Sequence, residues 1–398
     1  MTIQQDQQLS GAPLPPLVGL GPSLAARDRA RFHRHTILPQ LGEDGQRRLR
    51  NARVLVIGAG GLGAPALLYL TAAGVGTIGI VDFDVVEASN LHRQVIHSEA
   101  DVGRRKIDSA RDSMLAIDRE VEVRLHPEPL DNGNAVELFD GYDVILDGTD
   151  NFATRYLVND AAALARRPYV WGSIFRFSGQ VSVFWEDAPD GRGVNYRDLY
   201  PDPPPAGSVP SCAEGGVLGV LCASVGSIMA TEAVKLIAGI GRPLLGRLLS
   251  YDALEMSHRT IEIRKDPASP PITGLVDYQQ LCGAGQDSPE APEISADELD
   301  GLLRSSGPDV DLVDVRDPGE WEIARIPGAR LVPLASFDAA DPLADVPEDR
   351  AVVVYCKMGG RSAQAAASLL AAGHADVRSL TGGIDEWARR IDPAMARY

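Results

Sequence analysis

No CxxC pair occurs in the chain, and its four cysteines, Cys212, Cys222, Cys282 and Cys356, stand apart. That spacing argues against a disulfide framework or a paired-cysteine zinc site and fits isolated thiols in a reducing cytoplasm. Excess positive charge is missing too. The formal net charge of −17 argues against a general affinity for nucleic acid or an anionic membrane. There is no clean apolar run of membrane-spanning length. The longest candidate, Val217 to Ala230, contains serines and glycines and leads into Glu232 and Lys235, so it reads as a buried helix. The first residues, MTIQQDQQLSGAPLPPLVGLGPS, are polar and proline-rich, unlike a secretory signal. Lysine is scarce beside arginine: Lys106 comes first and Lys235 next. What remains is an ordinary hydrophobic fraction, 44% of 398 residues, enough for two or three globular domains.

The informative stretch runs from Arg53 to Asp84. Val54 to Ile57 is an apolar run that predicts a strand buried on both faces. Gly58, Gly60, Gly61 and Gly63 follow in GAGGLG, then a helical run from Ala64 to Ala73 and a second strand, Ile78 to Val81, ending at Asp82. Glycines let the backbone turn tightly and approach a ligand, and bare amides at a helix start attract phosphate. A carboxylate at the end of the next strand can accept from ribose hydroxyls. The unit predicts a nucleotide site without naming the nucleotide; a glycine-rich structural turn is the plainer alternative.

Directly after it comes Glu87-Ala88-Ser89-Asn90-Leu91-His92-Arg93-Gln94. Ligands of open parallel sheets bind beyond the carboxyl ends of the strands, where this polar segment falls. Asn90 and Arg93 lie three apart, on one face of a turn. Lys106 opens the next helix, and a lone lysine among arginines points to a compact charge, unless it is chance. A further strand, Asp143 to Leu146, ends in DGTDN. Asp150 there can hold Mg²⁺ against phosphate oxygens, or Asp150 or Asn151 can simply cap the next helix. Upstream, Arg31, Arg34 and His35 form either a solvated helix face or a cationic arm.

Pro168 to Trp185 predicts two strands. A mobile-looking loop, Asp187 to Pro210, then delivers Cys212 to the start of the apolar helix, where a thiol is more nucleophilic; a buried, inert cysteine is the plainer alternative. Asp266 to Pro292 reads as an interdomain linker. Beyond it, Val310 to Val315 and Val352 to Tyr355 predict strands of a smaller α/β unit. The second strand runs straight into Cys356-Lys357-Met358-Gly359-Gly360-Arg361-Ser362 and a helix. Loop amides aimed at one sulfur, the helix dipole and Arg361 would all favour a sulfur anion. The gap between Cys356 and Arg361 is shorter than in cysteine phosphatases, which matches a sulfur atom better than a phosphate.

The stretches RFHRHTILPQLGEDGQ, GAGGLG, DFDVVEASNLHRQ, DGTDN and SCAEGGVLG resemble the bacterial E1-like (ThiF/MoeB-type) family that activates ubiquitin-like sulfur carriers. DVRDPGEW, IPGA, CKMGGRS and GGIDEW resemble a single rhodanese module. The fold class this implies is α/β: a Rossmann-like nucleotide-binding domain with a mostly parallel sheet, then a C-terminal α/β rhodanese domain. The domains expected are a disordered or loosely draped tail over 1–24, an adenylyltransferase domain over 25–265, a linker over 266–292 and a rhodanese domain over 293–398.

The resemblance implies roles residue by residue. Gly58, Gly60, Gly61 and Gly63 shape an ATP phosphate loop, and Asp82 binds ribose. Ser89, Asn90, Arg93 and Lys106, with Leu91 and His92 between them, hold the triphosphate. Asp150 binds Mg²⁺ beside Asn151. Arg34 crosses a homodimer interface into the partner's ATP site. Cys212 carries a thioester or reduces a later intermediate, and Cys356 carries a persulfide. The implied partners are a small carrier ending in Gly-Gly and a sulfur donor, thiosulfate or a cysteine desulfurase. Where relatives bind zinc through two cysteine pairs, this chain has Asn195 and Asp198, then Ser269 and Ile272, so no structural zinc is expected. Arg325 stands where a rhodanese histidine is usual. Two other readings stay open: an NAD-dependent oxidoreductase fused to a rhodanese, and a carrier-binding scaffold without turnover.

Overall fold

The computed structural model describes residues 14–204, 215–282, 291–306, 310–338 and 350–397. They form two units, one of 14–204 with 215–282 and one of the remainder. The first unit opens with short helices α1 (Ala26–Arg31), α2 (His33–Thr36) and α3 (Gly42–Asn51). Then β1 (Arg53–Ile57), α4 (Gly63–Ala72), β2 (Thr77–Val81), α5 (Lys106–Ile117) and β3 (Glu122–His126) alternate. Next come α6 (Ala135–Asp140), β4 (Val144–Asp147), α7 (Phe152–Leu164), β5 (Tyr169–Phe175) and β6 (Ser178–Phe184). The long helix α8 (Gly219–Ala238) and strands β7 (Arg247–Asp252) and β8 (Ser257–Glu262) complete the sheet.

β2 and β4 are buried along their whole length and β1 at every residue but Arg53, because their β-branched and leucine side chains face helices on both sides. The sheet order is β3-β2-β1-β4-β5-β6-β7-β8. The first five strands pair in parallel and the last three join antiparallel. The order reverses between β1 and β4, the switch point where a crevice opens. Ile57 is level with both Val81 and Asp147. The chain therefore leaves the sheet at Gly58, Asp82 and Gly148 at one height, around that crevice. α8 is apolar nearly all round and lies in the core against α4 and β5.

Three segments are better held than their composition implies. The tail read as disordered or draped is packed from Leu14: Leu14, Val18 and Leu24 are buried, and the Leu17 N–H donates to Leu236 O. Isolated apolar residues among prolines give no periodic signal, yet Leu14 and Val18 join the core that holds Leu236 of α8 and Leu49 of α3. The loop after β6 is pinned through residue 204 by Tyr196, buried among Tyr156, Trp171 and Phe184, whose backbone N–H donates to Asn159 Oδ1. The stretch read as linker stays docked on the first unit up to Cys282. It includes a short helix, α9 (Tyr278–Leu281), whose Tyr278 is buried.

The second unit holds β9 (Glu293–Ile294), α10 (Ala296–Ser306), β10 (Val310–Asp314), α11 (Pro318–Ile323) and β11 (Arg330–Leu331). β12 (Ala351–Tyr355), α12 (Gly360–Ala371), β13 (Val377–Leu380) and α13 (Gly383–Arg390) follow. Its sheet, β11-β10-β12-β13-β9, is parallel throughout. Cys356 leaves the central strand.

Candidate functional site

A cavity of about 710 Å³ opens at the switch point of the first unit, walled by the glycine loop, the ends of β2 and β4, and the start of α7. The four glycines serve different ends. Gly58 has φ +90°, a left-handed backbone that starts the turn. A Cβ on Gly63 would stand 1.8 Å from Gly58 O, so only glycine lets α4 close on the strand end. One on Gly61 would meet the buried Cys222 Sγ at 2.9 Å, whereas Gly60 faces open space with Gln94 Nε2 nearest at 3.7 Å. The loop backbone is thus bare toward the cavity.

Charged groups converge on this loop. Asp82 is buried, and its two oxygens accept from the N–H groups of Ala59 at 2.8 Å and Asp84 at 2.9 Å. Burial raises its pKa above the usual carboxylate value, though those amides oppose the shift. Lys106, also buried, places Nζ 2.8 Å from Asp84 Oδ2. Arg93 reaches the wall with Nη1 donating to Ser89 O at 3.0 Å. Asn90 is buried on the wall, its Oδ1 accepting from Glu87 N at 3.1 Å.

The DGTDN turn divides its labour. Asn151 Oδ1 caps α7 by accepting from Thr154 N at 2.8 Å. That leaves Asp150 exposed on the cavity wall, its carboxylate without a hydrogen bond or ion pair among the described residues. Asp147 is fully buried; its Oδ1 accepts from Thr149 N and Oγ1 at 3.0 and 2.7 Å, while Oδ2 has no partner. Burial pushes its pKa up to about 6. Arg155 braces the same turn, donating from Nε and Nη2 to Thr149 O at 3.2 and 3.1 Å.

Of the sequence-predicted residues, Gly58, Gly60, Gly61, Asp82, Asn90, Arg93, Lys106, Asp150 and Asn151 line this one cavity. Gly63 packs behind it. Ser89, Leu91 and His92 stand off the wall; Ser89 Oγ instead donates to Glu87 Oε2 at 3.1 Å. Arg34 is exposed on α2 and takes no part in its own chain's cavity. Cys212 lies outside the described residues. Gln94, the last residue of the polar segment, is on the wall too; sequence reading passed over Arg155 and Gln279 on the wall, and His97 behind it. His97 is buried between Ser109 Oγ (2.9 Å) and Ala59 O (3.2 Å). Nothing in the local pattern marks these residues; long-range packing brings them here.

In the second unit the Cys356 thiol is buried at the start of α12. Its Sγ accepts from Gly359 N at 3.1 Å, and Ser362 Oγ lies 3.6 Å away. Gly359 has φ +106°, which folds the loop over the sulfur. Lys357, Met358 and Gly360 complete the loop, with Met358 exposed. The GGIDEW stretch explains itself here: Ile384 N donates to Cys356 O at 2.9 Å and Asp385 N to Lys357 O at 3.2 Å. A Cβ on Gly383 would come within 2.4 Å of Cys356 O.

Arg361 departs from expectation. Its Nη1 and Nη2 pair with Glu320 Oε2 and Oε1 at 2.7 and 2.8 Å, buried. A buried guanidinium needs such a partner. Its charge is therefore matched locally, and the positive potential at the sulfur falls to the loop amides and the helix start. Arg325 is exposed over the Trp321 ring.

At the positions matched to zinc ligands in relatives, polar bonds join the loop to the domain end. Asn195 N donates to Asp198 Oδ2 at 2.7 Å, Asn195 Nδ2 to Glu186 Oε2 at 2.7 Å and Asp266 N to Asp198 Oδ1 at 3.1 Å. Lys265 Nζ meets Glu186 Oε2 at 2.7 Å. Ser269 N donates to Asp266 O at 3.1 Å, and Ile272 is half-buried.

Comparison with known proteins agrees with this division. The ThiF family matches residues 32–271 and the rhodanese-like domain residues 295–390. The chain is 63% identical to the probable adenylyltransferase/sulfurtransferase MoeZ of Mycobacterium tuberculosis, over 97% of this chain and 99% of that one. It is 52% identical to a sulfur carrier protein adenylyltransferase of Thermus thermophilus, over 64% of this chain and 96% of that one. With the adenylyltransferase and sulfurtransferase MOCS3 of Drosophila ananassae it shares 39% over 94% and 86% of the two chains. Among solved structures, E. coli MccB with MccA-N7isoASN shares the fold, with TM-score 0.54 and 20% identity over 61% and 73% of the chains.

Proposed function

The chain belongs to the ThiF family and carries a rhodanese-like domain, and from that premise we propose how its adenylyltransferase and sulfurtransferase activities are joined. The first unit adenylates the C-terminal glycine of a small ubiquitin-like sulfur carrier, and the second supplies sulfur to the activated carbonyl. The observation that carries the reading is the bare glycine loop with Arg93 and Lys106 on its wall, in one chain with a cysteine held at a helix start.

A carboxylate is a poor electrophile. Its attack on the α-phosphorus of ATP expels pyrophosphate and leaves an acyl-adenylate, from which AMP departs readily. Lys106 and Arg93 neutralise the triphosphate and the leaving pyrophosphate, the main protein contribution to such transfers. An oxidoreductase reading gives these two cations no task. Asp150 would hold Mg²⁺: its carboxylate is uncommitted, and no group of three or more His, Cys, Asp or Glu ligands gathers among the described residues. Such a donor set fits Mg²⁺, which takes its other oxygens from phosphate and water and adds charge neutralisation. Arg34, exposed on α2, acts in the ATP site of a second copy in a homodimer.

The terminal sulfur of a Cys356 persulfide attacks the adenylated carbonyl, forming a C–S bond and releasing AMP. The product is an acyl disulfide between carrier and Cys356. A thiol then attacks the Cys356 sulfur, breaking the S–S bond. The carrier leaves as a thiocarboxylate, and Cys356 is left in a disulfide with that two-electron reductant. Cys212 is one candidate thiol. A second thiol then attacks that disulfide and frees the Cys356 thiolate, which takes sulfur again from thiosulfate, releasing sulfite, or from the persulfide of a cysteine desulfurase; the cytoplasm is the compartment that keeps these thiols usable.

The test mixes the protein, Mg·ATP and carriers ending in Gly-Gly, and follows intact carrier mass. A carrier–AMP adduct is expected, then replacement of oxygen by sulfur when Cys356 is loaded. A carrier never joined to AMP overturns the reading. NAD, rather than ATP, protecting against thermal unfolding would favour the oxidoreductase instead.

A further inference from the structure

The segment from Leu275 to Leu281 lies beyond the stretch matched to the ThiF family, which ends at residue 271, yet it contributes to the nucleotide cavity. We propose that Gln279, on this strap, reads the base of the bound nucleotide and selects adenine. The inference rests on the cavity being an ATP site, as above.

The placement follows from the sheet. Phosphates lie against the glycine loop after β1, and Asp82 ends β2. The next strand outward is β3, so a nucleotide with its ribose at Asp82 extends its base toward the β3 end. Pro129 and Leu130, from the segment after β3, line that part of the cavity and supply apolar surface for a ring. The strap is fastened to the same segment: Asn132 Nδ2 donates to Val276 O at 2.9 Å. Gln279 follows three residues on and lies on the cavity wall.

The strap is positioned from below as well. Tyr278 is buried, and its hydroxyl donates to Asp160 Oδ2 at 2.8 Å; Arg197 Nη2 pairs with the same carboxylate at 2.8 Å. Leu275 and Leu281 pack against the surrounding core. An anchor of this kind fixes where the exposed Gln279 amide sits. A primary amide offers one donor and one acceptor side by side. Adenine presents the complement, a ring nitrogen acceptor beside an exocyclic amino donor, on both its N1/N6 and N7/N6 edges, whereas guanine presents two acceptors on its N7/O6 edge and matches on its N1/O6 edge only if the amide is turned so that donor and acceptor exchange.

The experiment measures calorimetric binding of Mg·ATP and Mg·GTP to the full chain and to Gln279→Ala and Gln280→Ala, alongside carrier-dependent pyrophosphate exchange. Gln280 shares the strap but is off the wall, so its variant controls for disturbance of the segment. Gln279→Ala is expected to weaken ATP about tenfold, leave GTP nearly unchanged and raise the KM for ATP with little change in kcat. Gln280→Ala should match the parent. An unchanged ATP/GTP binding ratio in Gln279→Ala, or an equal loss in both variants, overturns the role of Gln279. Binding is read without a carrier, so a collapsed ratio in a protein that shows no exchange would uphold Gln279 and refute adenylyl transfer.

Discussion

Lys106 Nζ sits 2.8 Å from Asp84 Oδ2, and the Lys106 backbone N–H also donates to Asp84 O at 2.9 Å. One aspartate thus holds both the side chain and the helix start that face the cavity. Before ATP arrives, the lysine charge is partly spent on Asp84. On the proposed reading, ATP binding transfers it to phosphate, and Asp84 then opposes the ligand as a like charge. Asp84→Asn is expected to tighten ATP severalfold, and Lys106→Ala to lower kcat/KM by at least about tenfold, equivalent to roughly 1.4 kcal/mol. Calorimetry and pyrophosphate exchange check both. Equal weakening by the two changes would mean that the pair only shapes the helix start.

His97 controls the same loop from behind. Burial lowers its pKa below the ordinary histidine value, which favours the neutral ring. The neutral tautomer that fits donates from Nε2 to Ala59 O and accepts from Ser109 Oγ at Nδ1. His97→Ala leaves the Ala59 carbonyl without this donor, a loss of about 1–3 kcal/mol. The KM for ATP should rise, and His97→Gln, which keeps a donor, should restore much of it. A stability loss with unchanged KM in His97→Ala would reduce the residue to packing.

The parts of this protein built from neighbours in sequence could be read before any coordinates. β1, the glycine turn and Asp82 follow one another, so periodicity and glycine spacing disclosed the unit; Cys356 and α12 are likewise contiguous. DGTDN offered two equivalent caps, and only geometry assigns the cap to Asn151 and frees Asp150. Arg361 looked like a free charge because its partner, Glu320, comes from a distant helix start. Tyr278 and Gln279 were hidden in a stretch of linker-like composition. A single buried aromatic suffices to dock such a strap but leaves no period to detect.

The Asp147 carboxyl carries a pH signature of definite sign. Its pKa is pushed up to about 6 by burial, so the folded protein holds this proton more tightly than the unfolded chain. The stabilising effect is fully present below the unfolded value, near 4, and is lost as pH rises through 6. Above that, the fold bears the cost of a buried charge, of order 3 kcal/mol at about 1.4 kcal/mol per unit. Asp147→Asn removes the titration. Relative to the parent, its stability should improve between pH 4 and pH 7 and level off above. Chemical denaturation across that range checks the slope; a flat difference would show that Asp147 is not protonated in the fold.

The Arg361–Glu320 pair separates stability from chemistry in the second unit. Both side chains are buried, so removing one leaves the other uncompensated, at about 3–5 kcal/mol. Glu320→Gln should therefore lower the melting temperature of that unit and cut thiosulfate:cyanide sulfur transfer only near the new transition. Cys356→Ala should abolish transfer at all temperatures while leaving the melting temperature and pyrophosphate exchange near the parent's. Full activity loss in a folded Glu320→Gln protein would place the pair in the chemistry instead.

The polar bonds around Asp198 predict how the first unit responds to chelators. Its carboxylate is fully buried and accepts from the N–H groups of Asn195 and Asp266. Asp198→Ala leaves two amides short of an acceptor and should cost about 1–3 kcal/mol. Lys265 is more exposed; it pairs with Glu186 at 2.7 Å and, more loosely, with the Asp198 carboxylate at 3.5 Å, and because Asp198 keeps its two amide donors, Lys265→Ala should cost less than Asp198→Ala. Because these bonds are made by side chains and backbone alone, EDTA should leave the melting temperature of the first unit unchanged, and metal analysis should return no stoichiometric zinc. One zinc per chain, with a fall in melting temperature on chelation, would transfer the job of joining loop to domain end from Asp198 to a metal.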